Sequence, residues 1–505
     1  MSAHPAGLAA GSVKVPGMAD ADFTFLWHDY ETFGRDPRRD RPAQFAAIRT
    51  DAELREIGAP VMHFCQPAPD YLPDPESCLL TGILPQQALA QGLPEHAFAA
   101  AIEAEMARPG TVSLGYNTLR FDDEFTRHLF WRNLIDPYAR EWQNGCGRWD
   151  LVDVVRCAWA LRPEGMNWPR HPDGRPSFRL EDLSVANGIV HEDAHDALSD
   201  VRATIGLARA LRQAQPRLFD FCLGLRRKEA VQAEITRAQS QGRPLLHISG
   251  MYGVERGGLA LVWPLATHPT NRNELIVWDL SHDPSELLGL DAETLRLRLF
   301  TRADALPEGV TRLPVKTIHI NKCPIVISNL KTLTPERAAH WGLDLDACAR
   351  HAEIAATQVR TLGGIWAEVF ARPEAEGLPD ADASLYSGFL DHEDRRRLVR
   401  LRGLGEAQWA ASAGRAPAFD DERLDEVVWR YRARNFPATL TDEERARWQA
   451  HCAARLIEGQ AGAMTLQRFQ ERIDALAAER EDDEAAMDLL GALVDYGEQI
   501  APEAD

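Results

Sequence analysis

The chain has 505 residues, 45% of them hydrophobic and 26% charged, which at roughly 100–200 residues per domain predicts about three globular domains with ample buried core. Its net charge of −20, from 76 acidic against 56 basic side chains, disfavours nonspecific coating of nucleic acid but leaves room for a nuclease that gathers its cations in one groove. No run approaches the ~18 apolar residues of a membrane span, and the opening segment lacks the apolar block of a secretory signal. Residues 1–20 read as a flexible tail, with Met18 as a second candidate start. From there to about Gln215, short apolar runs alternate with helix-like stretches, the pattern of an α/β domain. Phe23 to Glu31 is predicted as a strand, Thr111 to Tyr116 as a second, and Phe121 to Asn133 as a helix opened by acids. Ala194 to Gln213 is predicted as a helix, because Leu198, Val201, Ile205 and Ala208 recur at helical spacing. Between about Pro216 and Glu368, runs such as Leu245–Ser249, Leu259–Trp263, Leu275–Leu280, Val315–Ile320 and Ile325–Ile327 predict a small β-rich domain with helical insertions. A basic island lies there, with four Lys or Arg and no acid from Thr311 to Lys331. The remainder, rich in charged helical segments, predicts an all-α domain. The eight cysteines form no CxxC pair, which argues against structural zinc and disulfides and for a reducing cytoplasm.

Four acids and one histidine carry the chemistry. Asp29 and Glu31 are two apart in a predicted strand, so both carboxylates leave the same face. Like charges that close are costly unless a cation neutralises them, and magnesium or manganese prefers oxygen ligands. A lone DxE also fits an exposed strand end. Asp122, at the start of a predicted helix, also fits an ordinary N-cap. The segment His191-Glu-Asp-Ala-His195 matches the zinc-protease pattern H-E-x-x-H. However, the Asn187-Gly188 turn starts the helix near His195, which leaves His191 in a loop and off the face such a site needs. The other pairing sets His195 as general base beside Asp200, a metal ligand in the same helix.

Taken together, DYETFG, GYNTLRFDDEF, and SFRLEDLSVANGI followed by HEDAHDALSD resemble the three exonuclease motifs of the DEDDh superfamily. Within it the chain resembles the bacterial exodeoxyribonuclease I family. RPAQFAAIRTD, LRPEGMNWP, HISGMYG, HPTNRN, VKTIHINKCP and YRARNFP extend the likeness over about residues 22–500. The resemblance implies a ribonuclease H-like α/β exonuclease domain (21–215), an SH3-like β-rich domain (216–368) and an all-α C-terminal domain (369–501). It implies Asp29, Glu31, Asp122 and Asp200 as metal ligands and His195 as the histidine of the motif. The implied activity is 3′→5′ hydrolysis of single-stranded DNA to 5′-mononucleotides in repair and recombination, with two Mg²⁺ ions for which Mn²⁺ substitutes. By the same resemblance Arg179, Arg127, Tyr138, Trp142 and Arg156, with Glu31, contact substrate. Arg179 is the expected phosphate clamp, and the HPTNRN turn with Lys316 and Lys322 extends the track. The expected partners are single-stranded DNA and the C-terminal peptide of single-stranded-DNA-binding protein, and the expected state is a monomer in the bacterial cytoplasm. Three other readings fit the sequence less well. An RNA-directed or proofreading exonuclease is disfavoured by the two extra domains. A silent DNA-binding scaffold is disfavoured by the complete set of five residues, and a zinc protease by the broken helix context.

Overall fold

The computed structural model describes residues 23–191, 196–371, 379–411 and 418–502, without the side chains of 358–361; the predicted tail lies outside them. The first domain is built on a five-stranded sheet of β1 (Thr24–Thr32), β2 (Pro42–Thr50), β3 (Val61–Phe64), β4 (Thr111–Leu114) and β5 (Gly147–Arg148), in the order β3-β2-β1-β4-β5. β2 and β3 run antiparallel to their neighbours, while β1, β4 and β5 are parallel. Central β1 is buried on both faces, which explains its unbroken aromatic and aliphatic run. Phe25 and Trp27 enter a core with Val112, Trp149 and Val201, whereas Leu26 and Tyr30 meet Phe45, Phe98, Ile102 and Leu129 on the other side. Asp29 and Glu31 continue the Phe25–Trp27 face, where the helix Ala197–Ala214 packs on β1 and β2. That helix begins at Ala197 rather than at the predicted Ala194, because Asp196 is its N-cap, accepting from the Ser199 amide at 3.0 Å.

The β-rich domain carries β6 (Leu245–Ile248), β7 (Leu259–Thr267), β8 (Glu274–Asp279), β9 (Val315–His319) and β10 (Ile325–Ile327) in one antiparallel sheet of order β10-β6-β7-β8-β9. Its core is continuous with that of the first sheet. Trp341 packs 4.5 Å from Trp159 and donates its indole N–H to the Ala160 carbonyl at 2.9 Å. The C-terminal part is helical, and it grips the first domain in two ways. Phe469, Leu490 and Leu493 pack with Phe33, Tyr71 and Leu72. Asp382 pairs with Arg41 at 3.0 Å and Arg434 at 2.6 Å, and Arg434 also reaches Asp70 at 2.7 Å. All eight cysteines are free thiols. Among the described residues no helix is long and apolar enough to cross a membrane.

Candidate active site

β1 delivers Asp29 and Glu31 to the end of the sheet, and the first turn of the helix Ala197–Ala214 delivers Asp200. One carboxylate oxygen from each lies within 4.8 Å of the others. A register shift directly after Glu31 breaks the β1–β2 ladder there, a device that re-aims side chains at the rims of sheets. The fourth acid arrives from the other side of the strand. Asp122 is the first residue of the helix Asp122–Arg132, which has no side-chain cap; the N-cap role that its position suggested is not the one it plays. Its Oδ1 instead accepts the backbone N–H of Tyr30 at 3.0 Å, between the two acids of β1.

The loop that brings Asp122 into place is clamped by a residue the sequence reading missed. Asp150 caps the helix Leu151–Leu161 and also accepts the amides of Asn117 at 2.9 Å and Leu119 at 3.1 Å. Asn117 sits at φ 67, a left-handed geometry that Asn tolerates. Gly115 passes so close to β1 that a Cβ there would lie 2.4 Å from the His28 carbonyl oxygen. An aspartate directly before the apolar run that opens at Leu151 was the available signal for Asp150; its long-range amide contacts were not.

Electrostatically the acids are a concentration of unbalanced charge. Burial, then Asp122, Glu31, Asp200 and Asp196, push Asp29 well above the usual carboxylate range. Burial and the neighbouring acids Asp200, Asp122 and Asp196 raise Glu31 to about 9, and burial raises Asp122 strongly. Every one of these influences on Asp29 and Glu31 opposes ionisation, and none is a cation. Buried oxygen donors in this state fit a hard divalent cation.

His191 is buried beside Asp200, its Nε2 2.5 Å from Oδ1. It precedes the helix, so the two-histidine helical face of a zinc protease is not formed by it. Residue 195, the expected general base, lies outside the described residues. An open cleft of ≈ 600 Å³ adjoins the acids, with Asp29, Asp200, Tyr116, Arg156, His171 and Arg179 in its wall. Arg179 is largely exposed on the rim, 3.4 Å from Glu181. Arg156 pairs with Asp153 at 2.6 Å.

The Arg127 guanidinium is buried and paired with Glu141 and Glu124, both at 2.8 Å, and lies 5.4 Å from the Tyr138 ring centroid. Tyr138 is half-buried against Phe389, 5.8 Å between centroids. Trp142 is 66% exposed but lines a different pocket from the acids. Lys322 meets Glu124 at 3.7 Å, Lys316 lies on β9, and His268 of the HPTNRN turn is buried.

Three family models match the chain: an exonuclease model over residues 26–208, an exonuclease I SH3-like domain over 226–372 and an exonuclease I C-terminal domain over 379–500. Exodeoxyribonuclease I of Escherichia coli is 45% identical over 481 residues, covering 94% of this chain and 98% of its own. The exonuclease I structure from Methylocaldum szegediense is 47% identical with TM-score 0.89, covering 95% of this chain and 99% of that one. The Escherichia coli exonuclease I structure in complex with a dA16 oligonucleotide is 45% identical with TM-score 0.89, covering 95% of this chain and all of that one (100%). Other solved structures include a zinc-bound form of the Escherichia coli complex with single-stranded DNA and one of SSB with exonuclease I.

Proposed function

The chain belongs to the exodeoxyribonuclease I family, and from that premise we propose that it hydrolyses single-stranded DNA from the 3′ end, releasing 5′-mononucleotides with Asp29, Glu31, Asp122 and Asp200 as its metal-binding acids. The observation that carries this reading is the convergence of buried Glu31 with partly buried Asp29 and Asp200 within 4.8 Å, with no cation among the main influences on the β1 pair. Magnesium is the proposed ion, with manganese as its substitute; two such ions, when bound, supply charge neutralisation at the phosphate and lower the pKa of water.

The chain's own groups do the rest. Asp29, Glu31 and Asp200, whose oxygens converge, and Asp122 from the neighbouring helix would hold the ions. Glu31 also abuts the terminal nucleotide. His195 accepts the proton of the attacking water, a task suited to an imidazole. The water oxygen bonds to phosphorus, the bond to the 3′ oxygen breaks, and the phosphate leaves on the 5′ carbon of the released nucleotide. Arg179 and Arg156, in the wall of the cleft, orient and neutralise the phosphate before attack. Tyr138 and Trp142 offer stacking surfaces further along.

Single-stranded DNA is the proposed substrate and SSB a proposed partner, since relatives have been solved with each. We assign the work to DNA repair and recombination in the bacterial cytoplasm, by a monomer with units at 21–215, 216–368 and 369–501. The decisive experiment incubates the purified protein with end-labelled single- and double-stranded DNA, with magnesium or with EDTA. Magnesium-dependent loss of nucleotides from the 3′ end of the single strand is expected. Full activity in EDTA, or equal rates on blunt duplex, would overturn the reading.

A further inference from the structure

The helix Asp122–Arg132 opens on three consecutive acids, Asp122, Asp123 and Glu124, and has no side-chain cap. Each of the three carboxylates is held by a different part of the molecule. Asp122 accepts the Tyr30 amide of β1 at 3.0 Å. Asp123 lies buried between Arg140 at 2.6 Å and Arg148 at 2.8 Å, and Arg148 also donates to the Asn321 carbonyl of the β-rich domain at 3.3 Å. Glu124 accepts the hydroxyl of Tyr386, from the 3₁₀ turn Ala381–Ser387 of the C-terminal part. The same carboxylate takes Arg127 at 2.8 Å and meets Lys322 of the β-rich domain at 3.7 Å. Arg127 in turn donates to the Tyr386 oxygen at 3.1 Å. All three parts of the chain thus meet on one helical turn, two residues from a proposed metal ligand.

An uncapped helix start leaves its first-turn amides without local side-chain acceptors, so tertiary contacts must hold that turn. Among the contacts on Glu124, Arg127 lies on the same helix, and the longer pair with the partly exposed Lys322 is worth little. The bond from Tyr386 is charge-assisted and directional, which makes it the strongest tie from Glu124 to another part of the chain. Further along, Trp131 donates its indole N–H to the Ala381 carbonyl at 2.8 Å, and the His128 ring meets Tyr386 edge-on with centroids 5.8 Å apart. Those contacts dock the body of the helix, whereas the hydroxyl acts on its first turn. We propose that Tyr386 is a positioning residue: its hydroxyl on Glu124 fixes the first turn and, through it, the Asp122 carboxylate. Docking of the C-terminal part is thereby coupled to metal binding in the first domain. The inference rests on the proposed role of Asp122 and deepens it. By reciprocity, a cation held by Asp122 also tightens the Tyr386 contact.

Tyr386→Phe removes one oxygen and keeps the ring against His128. Two readouts require neither DNA nor turnover. In the metal-free protein, amide exchange should quicken at Tyr30, whose hydrogen bond to Asp122 reports on the first turn, and stay unchanged at Phe130 to Arg132. In calorimetric titration, Mn²⁺ affinity should fall about 5- to 150-fold, the range of coupling between sites. In an Asp122→Asn background the same substitution should change that affinity by less than about twofold, because its effect passes through Asp122. Glu124→Gln, which keeps an oxygen for the hydroxyl, should retain more affinity than Glu124→Ala. Unchanged Mn²⁺ affinity or unchanged Tyr30 exchange in Tyr386→Phe overturns the inference. An equal loss of affinity in both backgrounds also overturns it, since the effect would then be a general one on the fold. Wild-type affinity in Asp122→Asn alone overturns the ligand role of Asp122 and the inference with it. A loss there with none in Tyr386→Phe overturns only the inference.

Discussion

Glu31 shares its corner of the sheet with Asp29, and burial together with the charges of Asp200, Asp122 and Asp196 raises it to about 9 from an ordinary 4.5. A carboxyl raised in this way is protonated in the metal-free fold but already ionised in the unfolded chain at neutral pH. Its contribution to stability is therefore complete below the unfolded pKa and lost as pH rises toward about 9. We expect the melting temperature in EDTA to fall between about pH 6 and pH 9, and Glu31→Gln to flatten that fall. Magnesium should restore the loss, because the cation replaces the protons. Thermal melts of wild type and variant with and without metal check this, and a wild-type melting temperature in EDTA that does not fall over that interval would refute it. Asp200→Asn should abolish hydrolysis while raising the metal-free melting temperature, since one of the repelling charges is gone. His195→Ala should behave differently, slowing single-turnover cleavage roughly 10²–10⁴-fold without weakening metal binding; a loss under about threefold would reject it as the base. The β1 pair was legible in the sequence because strand periodicity alone puts both carboxylates on one face. The ionic surroundings of Arg127 were not legible, because Glu141 is fourteen residues away and Tyr386, of the C-terminal part, 259 residues away, and no local pattern reveals such partners.

At the level of elements, the site depends on two short links between a helix terminus and its surroundings. The first joins the helix Asp122–Arg132 to β1 through the Asp122 carboxylate and the Tyr30 amide. Asp122→Ala leaves that buried amide without its acceptor, a cost of about 1–3 kcal/mol, whereas Asp122→Asn keeps an acceptor oxygen there. Both should lose most hydrolysis, but only the alanine variant should lose that stability; urea denaturation distinguishes them. The second link is Asp196, which caps the helix bearing Asp200. Asp196→Ala should cost about 1 kcal/mol and loosen the first turn, seen as a weaker metal affinity in calorimetric titration. The strands and this helix were readable because apolar spacing specifies them, and the predicted helix start erred by three residues where a cap rather than periodicity sets the boundary. The loop held by Asp150 was unreadable, since its amide partners at Asn117 and Leu119 lie more than thirty residues upstream. Asp122 itself was placed correctly at a helix start, yet a local rule assigned its carboxylate to the helix and not to the neighbouring strand.

Across the whole molecule, the first two sheets share one apolar core, whereas the C-terminal helices combine apolar packing with a buried ionic cluster to hold the first domain. That cluster opposes the active site in its pH behaviour. Asp70 and Asp382 are held well below the usual carboxylate range: burial acts against ionisation, but Arg434, the other arginines and, at Asp70, His451 outweigh it. Carboxyls depressed in the fold add stability that is present above their unfolded pKa, about 3.9, and is lost as pH falls through the folded values. Acid should therefore release the C-terminal part, while alkali without metal strains the site. Asp382 is the residue to remove, because Arg41 from the first domain and Arg434 from the C-terminal helices both converge on it. Replacing a buried charge's only strong partner costs about 3–5 kcal/mol. Arg434 keeps Asp70, but Arg41 is left with Glu95 at 4.0 Å, so the loss falls on the contact between domains and not within either one. We expect Asp382→Ala to separate one cooperative urea transition into two, with the C-terminal helices unfolding first and the catalytic sheet, including its metal binding, surviving to higher denaturant. Circular dichroism follows the helices and tryptophan fluorescence the aromatic core around Trp27 and Trp149. Coincident transitions at the wild-type midpoint would show that apolar packing through Phe469, Leu490 and Leu493 holds the junction without the ions.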